Sequence, residues 1–350
     1  MSTQSNRTIL ADTVPARLAE LIGVPVADLA VHTSDPSGAD FVITSGQTFV
    51  VDFNLSTSAA PVAAAARKVK AIAERVAGRS IPLVAVPFMG DAGRQACAEA
   101  GVGWMDLNGN AHIEAPGLRI LVEGRPNRFR TVGRPENLFA PKSSRIARQF
   151  LLDPERPLTQ RALAHATGLD EGFVSRLVAR LLTDQYLVRD ERGALRPTNP
   201  NLLLDAWRDA YRFDGHTVRR GHVVSRSGDA LLRFTADTLT DLGVDYAATG
   251  LAGAWVLSPF AAFRLATVFV RTDPSTQVLQ RLGFREEDRG ANLWLVVPND
   301  EGVFAGARTS DGIRCAHPAQ VYVDLKGQPE RAPEAAQHLR SEFLTWSAHG

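Results

Sequence analysis

The sequence predicts an α/β protein of several domains, with an all-helical segment and a charged hairpin near its middle. Three observations carry that expectation. The chain has 350 residues, 45% hydrophobic and 22% charged, which is enough for two or three domains with cores of their own. Up to Gly124 the apolar pattern switches repeatedly between helical and strand periods. From Ser143 it is helical three times in succession and then alternates across a short turn.

The first domain is expected over residues 1–124. Residues 14–30 read as an amphipathic helix with Leu18, Leu21 and Ile22 at helical spacing. "FVIT", the turn "SGQ" and "TFVVDF" predict a hairpin from Phe41 to Phe53. "PVAAAARKVKAIAERVAG" is a helix, with Pro61 in its first turn and Gly78 at its end. "IPLVAVPF" is a buried strand, and "DAGRQACAEAG" a helix closed by Gly101. "VGWMDLNGNAHIEAPGLRILVEG" supplies short strands around an Asn108-Gly109 turn.

Residues 125–142 lack periodicity, contain Pro126, Gly133, Pro135 and Pro141, and read as a linker. A third composition spans 143–215. "SSRIARQFLLDPERP" is a helix and its stop, and "LTQRALAHATG" a second helix with Thr159 as N-cap and Gly168 at its end. "LDEGFVSRLVARLLTDQ" is a third, with Phe173, Leu177, Val178, Leu181 and Leu182 on one stripe. "YLVRDERGALRPT" is a strand, a charged turn and a strand, and "NPNLLLDAWRDAYRF" a closing helix. Residues 216–350 form a last α/β region. Its strands are expected at Tyr246–Ala248, Ala266–Val270, Leu293–Val297 and Gln320–Val323, and its helices at 228–242, 252–262 and 333–346.

Composition narrows the function classes. A net charge of +1 confines any nucleic-acid footprint to local clusters. Two distant cysteines, Cys97 and Cys315, make neither a disulfide framework nor a zinc set, and point to a reducing cytoplasm. The eight histidines show no metal spacing. "GDAGRQ" and "GLAGAW" lack the strand, loop and acid of a dinucleotide site. The longest uncharged run, Tyr246 to Phe263, is broken by Gly250, Gly253, Ser258 and Pro259, so it reads as a buried helix and no membrane contact is expected.

Three helices followed by a two-stranded wing are the pattern of a winged helix-turn-helix. A short second helix props the third so that it can enter the major groove of double-stranded DNA. The exposed face of that third helix would carry Asp170, Ser175, Arg176 and Arg180, and Arg189, Arg192 and Arg196 of the wing would reach phosphates. Asp170 and Glu171 favour the helix dipole but repel phosphate, so a domain that contacts only proteins is the competing reading. Arg125, Arg128, Arg130, Arg134, Lys142, Arg145 and Arg148 form a basic stretch with Phe129 among them and Glu136 as its one acid. It reads either as an arm that tracks phosphates or as a solvated loop.

"ADFVITSGQTFVVDFN" raises a question of chemistry. Asp40 and Asp52 are placed as the two carboxylates of a Mg²⁺-dependent nuclease would be, but Asn54 stands where a lysine would act. Lys68 or Lys70, on the next helix, could replace that lysine. The bland reading of Asp52 is a strand-end aspartate with local hydrogen bonds.

With these residues in view, 39–124 resemble a restriction-endonuclease-like domain of the PD-(D/E)XK type. "GVGWMDLNGNAHI" is similar to a signature found in such domains fused to winged helices. The winged helix with "NPNLLLDAWRDAY" and "AATGLAGAWVLSP" resembles the AbiEi antitoxin family of transcriptional regulators. That resemblance implies sequence-specific DNA binding and repression without catalysis, and partners drawn from double-stranded DNA, a second copy in a homodimer, and a cognate toxin or other protein. The alternative is a metal-dependent DNA endonuclease using Asp40, Asp52 and Lys68 or Lys70. No cofactor is expected otherwise. "YAATGLAGAWVLSPFAAFRLATVFVRTD" looks like a decayed nucleotidyltransferase core: Thr249-Gly250 occupies the phosphate-gripping place, and Asp273 is the one acid where two metals would need a pair.

Overall fold

The computed structural model describes residues 12–33, 38–55, 59–76, 80–127, 138–260, 262–287 and 289–346. The chain divides into two compact units, one of residues 1–135 with 183–186 and one of 136–182 with 187–350.

The first unit is a sheet between helices. Helix α1 (Val14–Ile22) stops where Gly23 takes a left-handed φ of 73°, well short of the end expected near residue 30. Pro25 follows, and a strand that the sequence pattern did not announce, β1 (Ala30–Thr33), begins the sheet. Strands β2 (Phe41–Ser45) and β3 (Gln47–Phe53) make the expected hairpin around Gly46. Helix α2 (Ala59–Ala73), β4 (Ser80–Val86), α3 (Asp91–Ala100) and β5 (Gly103–Asp106) form two parallel crossovers. Strands β6 (Ala111–Ala115) and β7 (Leu118–Val122) complete a seven-stranded sheet in sequence order. The Gly78 stop expected after α2 lies outside the described residues.

Strand alternation divides the core between the two faces. Val50 and Val84 pack with Val62, Val69 and Cys97 of α2 and α3. Phe49, Val51, Phe53, Leu83 and Met105 face the other way, with Val14 and Leu18 of α1. Full burial of each such side chain contributes about 1.5–3 kcal/mol.

The second unit begins with α4 (Ser144–Leu152), α5 (Gln160–Thr167) and α6 (Glu171–Thr183), then the hairpin β8 (Leu187–Arg189) and β9 (Leu195–Pro197). Thr159 Oγ1 accepts the Ala162 N–H at 3.1 Å and Gly168 ends α5 at φ 64°, as the cap residues predict. Leu158 pairs with Leu195, laying a third short segment against the hairpin. Helix α7 (Pro200–Ala210) follows, capped by Asn199.

The rest is a seven-stranded sheet and its helices. In chain order these are β10 (Thr217–His222), α8 (Gly228–Asp241), β11 (Tyr246–Thr249), α9 (Gly250–Leu257), β12 (Ala266–Val270) and α10 (Thr276–Leu282). Then come β13 (Arg285–Glu286), β14 (Leu293–Val297), β15 (Arg308–Ser310), β16 (Ile313–Cys315), α11 (Pro318–Asp324) and α12 (Ala332–Phe343). The strand order is β13-β10-β14-β12-β11-β16-β15. Gln320–Val323, expected as a strand, is the helix α11. His317 caps it, Pro318 starts it, and every residue of it is buried, so its apolar run carries no amphipathic period to distinguish helix from strand.

Helix α4 is clasped to this sheet region by two arginines. Arg145 binds the Asp300 carboxylate through Nε and Nη2, both at 2.9 Å, and the Thr167 carbonyl at 3.1 Å. Arg148 is fully enclosed: Nε donates to Gln320 at 2.7 Å, Nη1 to Ser144 Oγ at 2.9 Å, and the guanidinium lies 4.9 Å from the Trp207 ring centroid. The chain of bonds continues inward. Asp324 accepts from Gln320 Nε2 at 2.8 Å and from the hydroxyls of Tyr211 and Thr249. Both thiols, Cys97 and Cys315, are buried, and burial pushes each up to about 12.

Two histidines are held neutral by geometry. His216 Nδ1 accepts the Asn299 N–H at 3.1 Å, so its Nε2 carries the proton it shares with Tyr211 Oη at 2.8 Å. His317 Nδ1 accepts the Ala319 N–H at 3.2 Å. Burial, helped by Arg148 for His216 and Arg308 for His317, brings each down to about 4 from 6.5. The unfolded chain therefore takes up protons first. The stability these groups lend is present above pH 6.5 and is lost as pH falls through about 4, up to about 3 kcal/mol per histidine. Asp324 runs the other way: burial raises it from 3.8 to about 6, so its contribution is present below 3.8 and lost as pH rises through about 6. His317→Asn keeps a cap acceptor and removes the titration. The drop in the unit's thermal midpoint between about pH 7 and about pH 5 should be smaller in this variant than in the wild type. Equal drops would show that His317 is not the neutral cap.

Candidate nucleic-acid interface

Helix α6 turns Val174, Leu177, Val178 and Leu181 inward, which leaves Gly172, Ser175, Arg176, Ala179 and Arg180 on its exposed face. Phe173, expected in the apolar stripe, is only partly buried and lies 5.6 Å below the Lys142 ammonium. The two acids at the start of α6 have local work. Asp170 Oδ1 caps the helix through the Phe173 N–H at 3.0 Å, and Glu171 lies 4.0 Å from Arg161.

In the hairpin, Asp190 organises the turn by accepting the Arg192 and Ala194 N–H groups at 2.9 and 2.8 Å. Arg189 donates to the Gly193 carbonyl at 3.0 Å, and Arg196 sits opposite Val188, partly buried. Arg192 is exposed at the tip. Of the basic stretch, Arg128, Arg130 and Arg134 lie outside the described residues. Arg145 and Arg148 do not face solvent, as an arm would require, because they form the clasp on α4. A cleft of about 460 Å³ beside α5 is lined by Arg145, His165, Arg271 and Arg314, but these arginines are spent on Asp245, Asp300 and Glu301.

At the end of β3, Asp52 shares a sheet face with Val50 and therefore looks toward α2, where Lys68 meets it in an ion pair. Lys70, two residues on, points away and donates to the Ala100 carbonyl at 2.8 Å. Asp40 Oδ2 accepts the Phe53 N–H at 2.8 Å, and Asn54 lies over the first turn of α2, 3.4 Å from the Pro61 carbonyl. One carboxylate thus accepts a backbone N–H and the other pairs with a lysine. Among the described residues no three His, Cys, Asp or Glu side chains are grouped to hold a metal ion.

The "MDLNGN" stretch has a different role from the acids of β3. Asp106 is fully buried and accepts from the Asn110 N–H at 2.9 Å, from Asn110 Nδ2 at 2.8 Å and from the Met89 N–H at 3.3 Å. Asn110 in turn holds the Arg125 main chain, accepting its N–H at 2.8 Å and donating to its carbonyl at 3.0 Å. Asn108 donates to the Pro87 carbonyl at 2.9 Å, and the Arg125 guanidinium lies across Gly109, where a Cβ would meet it at 2.2 Å. Arg125 is thus tied to a turn, although its side chain remains half exposed. Asp106→Ala strands several buried donors at once and should lower the unit's stability by about 2–4 kcal/mol, measured by denaturant unfolding. A loss within experimental error would mean that the knot does not hold the turn.

In the C-terminal region, Thr249 and Gly250 start α9, but Thr249 gives its hydroxyl to Asp324 and the Gln328 side chain is packed against Gly250. Asp273 pairs with Arg219 at 3.2 Å. Asp324 is the carboxylate that sequence reading missed, because its segment looked like a strand.

Among the described residues no helix is long and apolar enough to cross a membrane. No curated protein and no solved structure matches the chain. Residues 196–345, the stretch from β9 through α12, are similar to a family described as a transcriptional regulator, the AbiEi antitoxin of type IV toxin–antitoxin systems.

Proposed function

We propose that the chain is a sequence-specific double-stranded-DNA-binding regulator of transcription, of the antitoxin kind, in which α4, α5, α6 and the β8–β9 hairpin act as a winged helix-turn-helix. The observation that carries this reading is the outward face of α6. Small and polar groups at Gly172, Ser175 and Ala179 alternate with Arg176 and Arg180, opposite a fully apolar inner face. Such a face can enter the major groove, where an arginine reads guanine through two acceptors. Arg192 at the hairpin tip, with Arg189 and Arg196 behind it, would meet backbone phosphates. Arg125, Arg128, Arg130 and Arg134 would add sequence-independent contacts.

The similarity of residues 196–345 to antitoxin regulators supports the regulatory half of this reading and extends it to a toxin or another protein as partner. The first unit serves as a non-catalytic platform of the restriction-endonuclease type, and the last α/β region as a non-catalytic relative of the nucleotidyltransferases. The ion pair of Asp52 with Lys68 gives the strand-end aspartate a local partner, and it is also the carboxylate–lysine pair that the endonuclease alternative needs.

Gel-shift binding to the DNA upstream of the protein's own gene tests the proposal. Arg176→Ala should weaken specific binding by about 1–3 kcal/mol with unchanged circular dichroism. Equal loss on random DNA would reduce Arg176 to a phosphate contact. With Mg²⁺ or Mn²⁺ added, the DNA should stay intact. Cleavage that Asp52→Ala and Lys68→Ala each abolish would overturn the non-catalytic reading in favour of an endonuclease.

A further inference from the structure

Among the described residues, strand β7 ends the first sheet and pairs only with β6. Its register with β6 is Ala115↔Leu118, Ile113↔Ile120 and Ala111↔Val122, with His112↔Leu121 and Glu114↔Arg119 between them. The two-residue turn Pro116-Gly117 closes on a hydrogen-bonded pair, so Leu118, Ile120 and Val122 direct their backbone groups at β6. Arg119, Leu121 and Glu123 direct theirs outward. The side chains of these three also share one face of the sheet. All three are open to solvent: Arg119 at 77% and Glu123 at 55% of their side-chain surface, and Leu121 at 58%, the most exposed large apolar residue in any strand.

The sequence of that edge is self-complementary. If a second β7 pairs antiparallel about a twofold axis at Leu121, Leu121 meets its own copy and Arg119 meets Glu123 of the other strand, twice. Shifting the axis by one residue opposes Arg119 to Leu121 or Leu121 to Glu123, and shifting it by two opposes like charges. Only the axis at Leu121 satisfies all three outward positions. It also extends two features of the single chain. Glu114 already lies 3.1 Å from Arg119, and Arg94 3.7 Å from Glu123, so the seam becomes a row of alternating charges: Glu114, Arg119, then Glu123 and Arg94 of the second copy. On the opposite face Ile120 comes beside Val122 of the second copy, continuing the apolar layer against which Ile120 packs. Just past β7, Asn110 captures the Arg125 main chain on the β6 side.

We infer that β7 is a homodimer interface, in which two copies of this chain join edge to edge through Arg119, Leu121 and Glu123 into one continuous sheet. Each outward residue then exchanges a pair of N–H···O=C bonds with its opposite, which removes an exposed strand edge. The dimer stands apart from the DNA reading, since it is measured with no DNA present.

The test is sedimentation velocity of the full chain over a range of concentrations. The wild type should associate to a dimer. Leu121→Lys, R119E and E123R should each weaken association by about tenfold or more, through like charges placed opposite one another. The R119E chain carries two negative charges on the edge and the E123R chain two positive ones. Mixing these two variants should therefore restore a dimer that neither forms alone, and the double variant R119E/E123R should dimerise by itself. A wild type that stays monomeric overturns the inference. So does a dimer that survives Leu121→Lys, or single variants that do not rescue each other when mixed.

Discussion

The buried contact between α4 and the C-terminal sheet region governs the second unit. An arginine enclosed as Arg148 is cannot be left unpaired, because an uncompensated charge in the interior costs several kcal/mol. Gln320, Ser144, Trp207 and the nearby Asp300 must therefore keep their places around it. Gln320 is committed in turn to Asp324, and Asp324 to Tyr211 and Thr249. Because every member accepts or donates to the next, α4, α7, α9 and α11 share one polar framework. The helical trio is thus not an appendage on a tether within this unit. It has a fixed orientation on the α/β region, which under the proposed DNA reading would hold Ser175, Arg176 and Arg180 in register with base edges.

In the first unit the acids that sequence reading singled out make local contacts. The ends of β2 and β3 bring Asp40 and Asp52 to the same neighbourhood, but a backbone N–H and Lys68 occupy the two carboxylates. Asp106, which sequence reading associated with a signature, is fully buried at a turn. Three hydrogen bonds to this one carboxylate fix Asn110 and the Met89 main chain, and through Asn110 the Arg125 main chain just past the sheet.

Where a local pattern had a physical cause of its own, the sequence was readable. The β2–β3 hairpin, α3 with its Gly101 stop, the Thr159 and Gly168 caps and the inward stripe of α6 all follow from period, caps and turn residues. Legibility failed where tertiary burial overrode pattern. Helix α11 is buried on every side and so lost the polar face that marks a helix. Strand β1 is short and exposed, with no apolar alternation to declare it. The inward turn of Arg145 and Arg148 was hidden because their partners, Asp300 and Gln320, lie far along the chain, and a run of arginines in sequence looks the same whether it faces water or a carboxylate. The face of α6 was visible because apolar neighbours at helical spacing fix what must lie opposite them.

The two cysteines carry a practical consequence. Sulfur chemistry begins with the thiolate, and thiols held near 12 expose only about one part in 10⁵ of it at neutral pH. Burial also keeps oxidants and alkylating reagents from reaching Cys97 and Cys315. The folded protein should therefore react slowly with thiol reagents, so that a single cysteine introduced at an exposed position can carry a fluorophore or spin label without removal of the native pair.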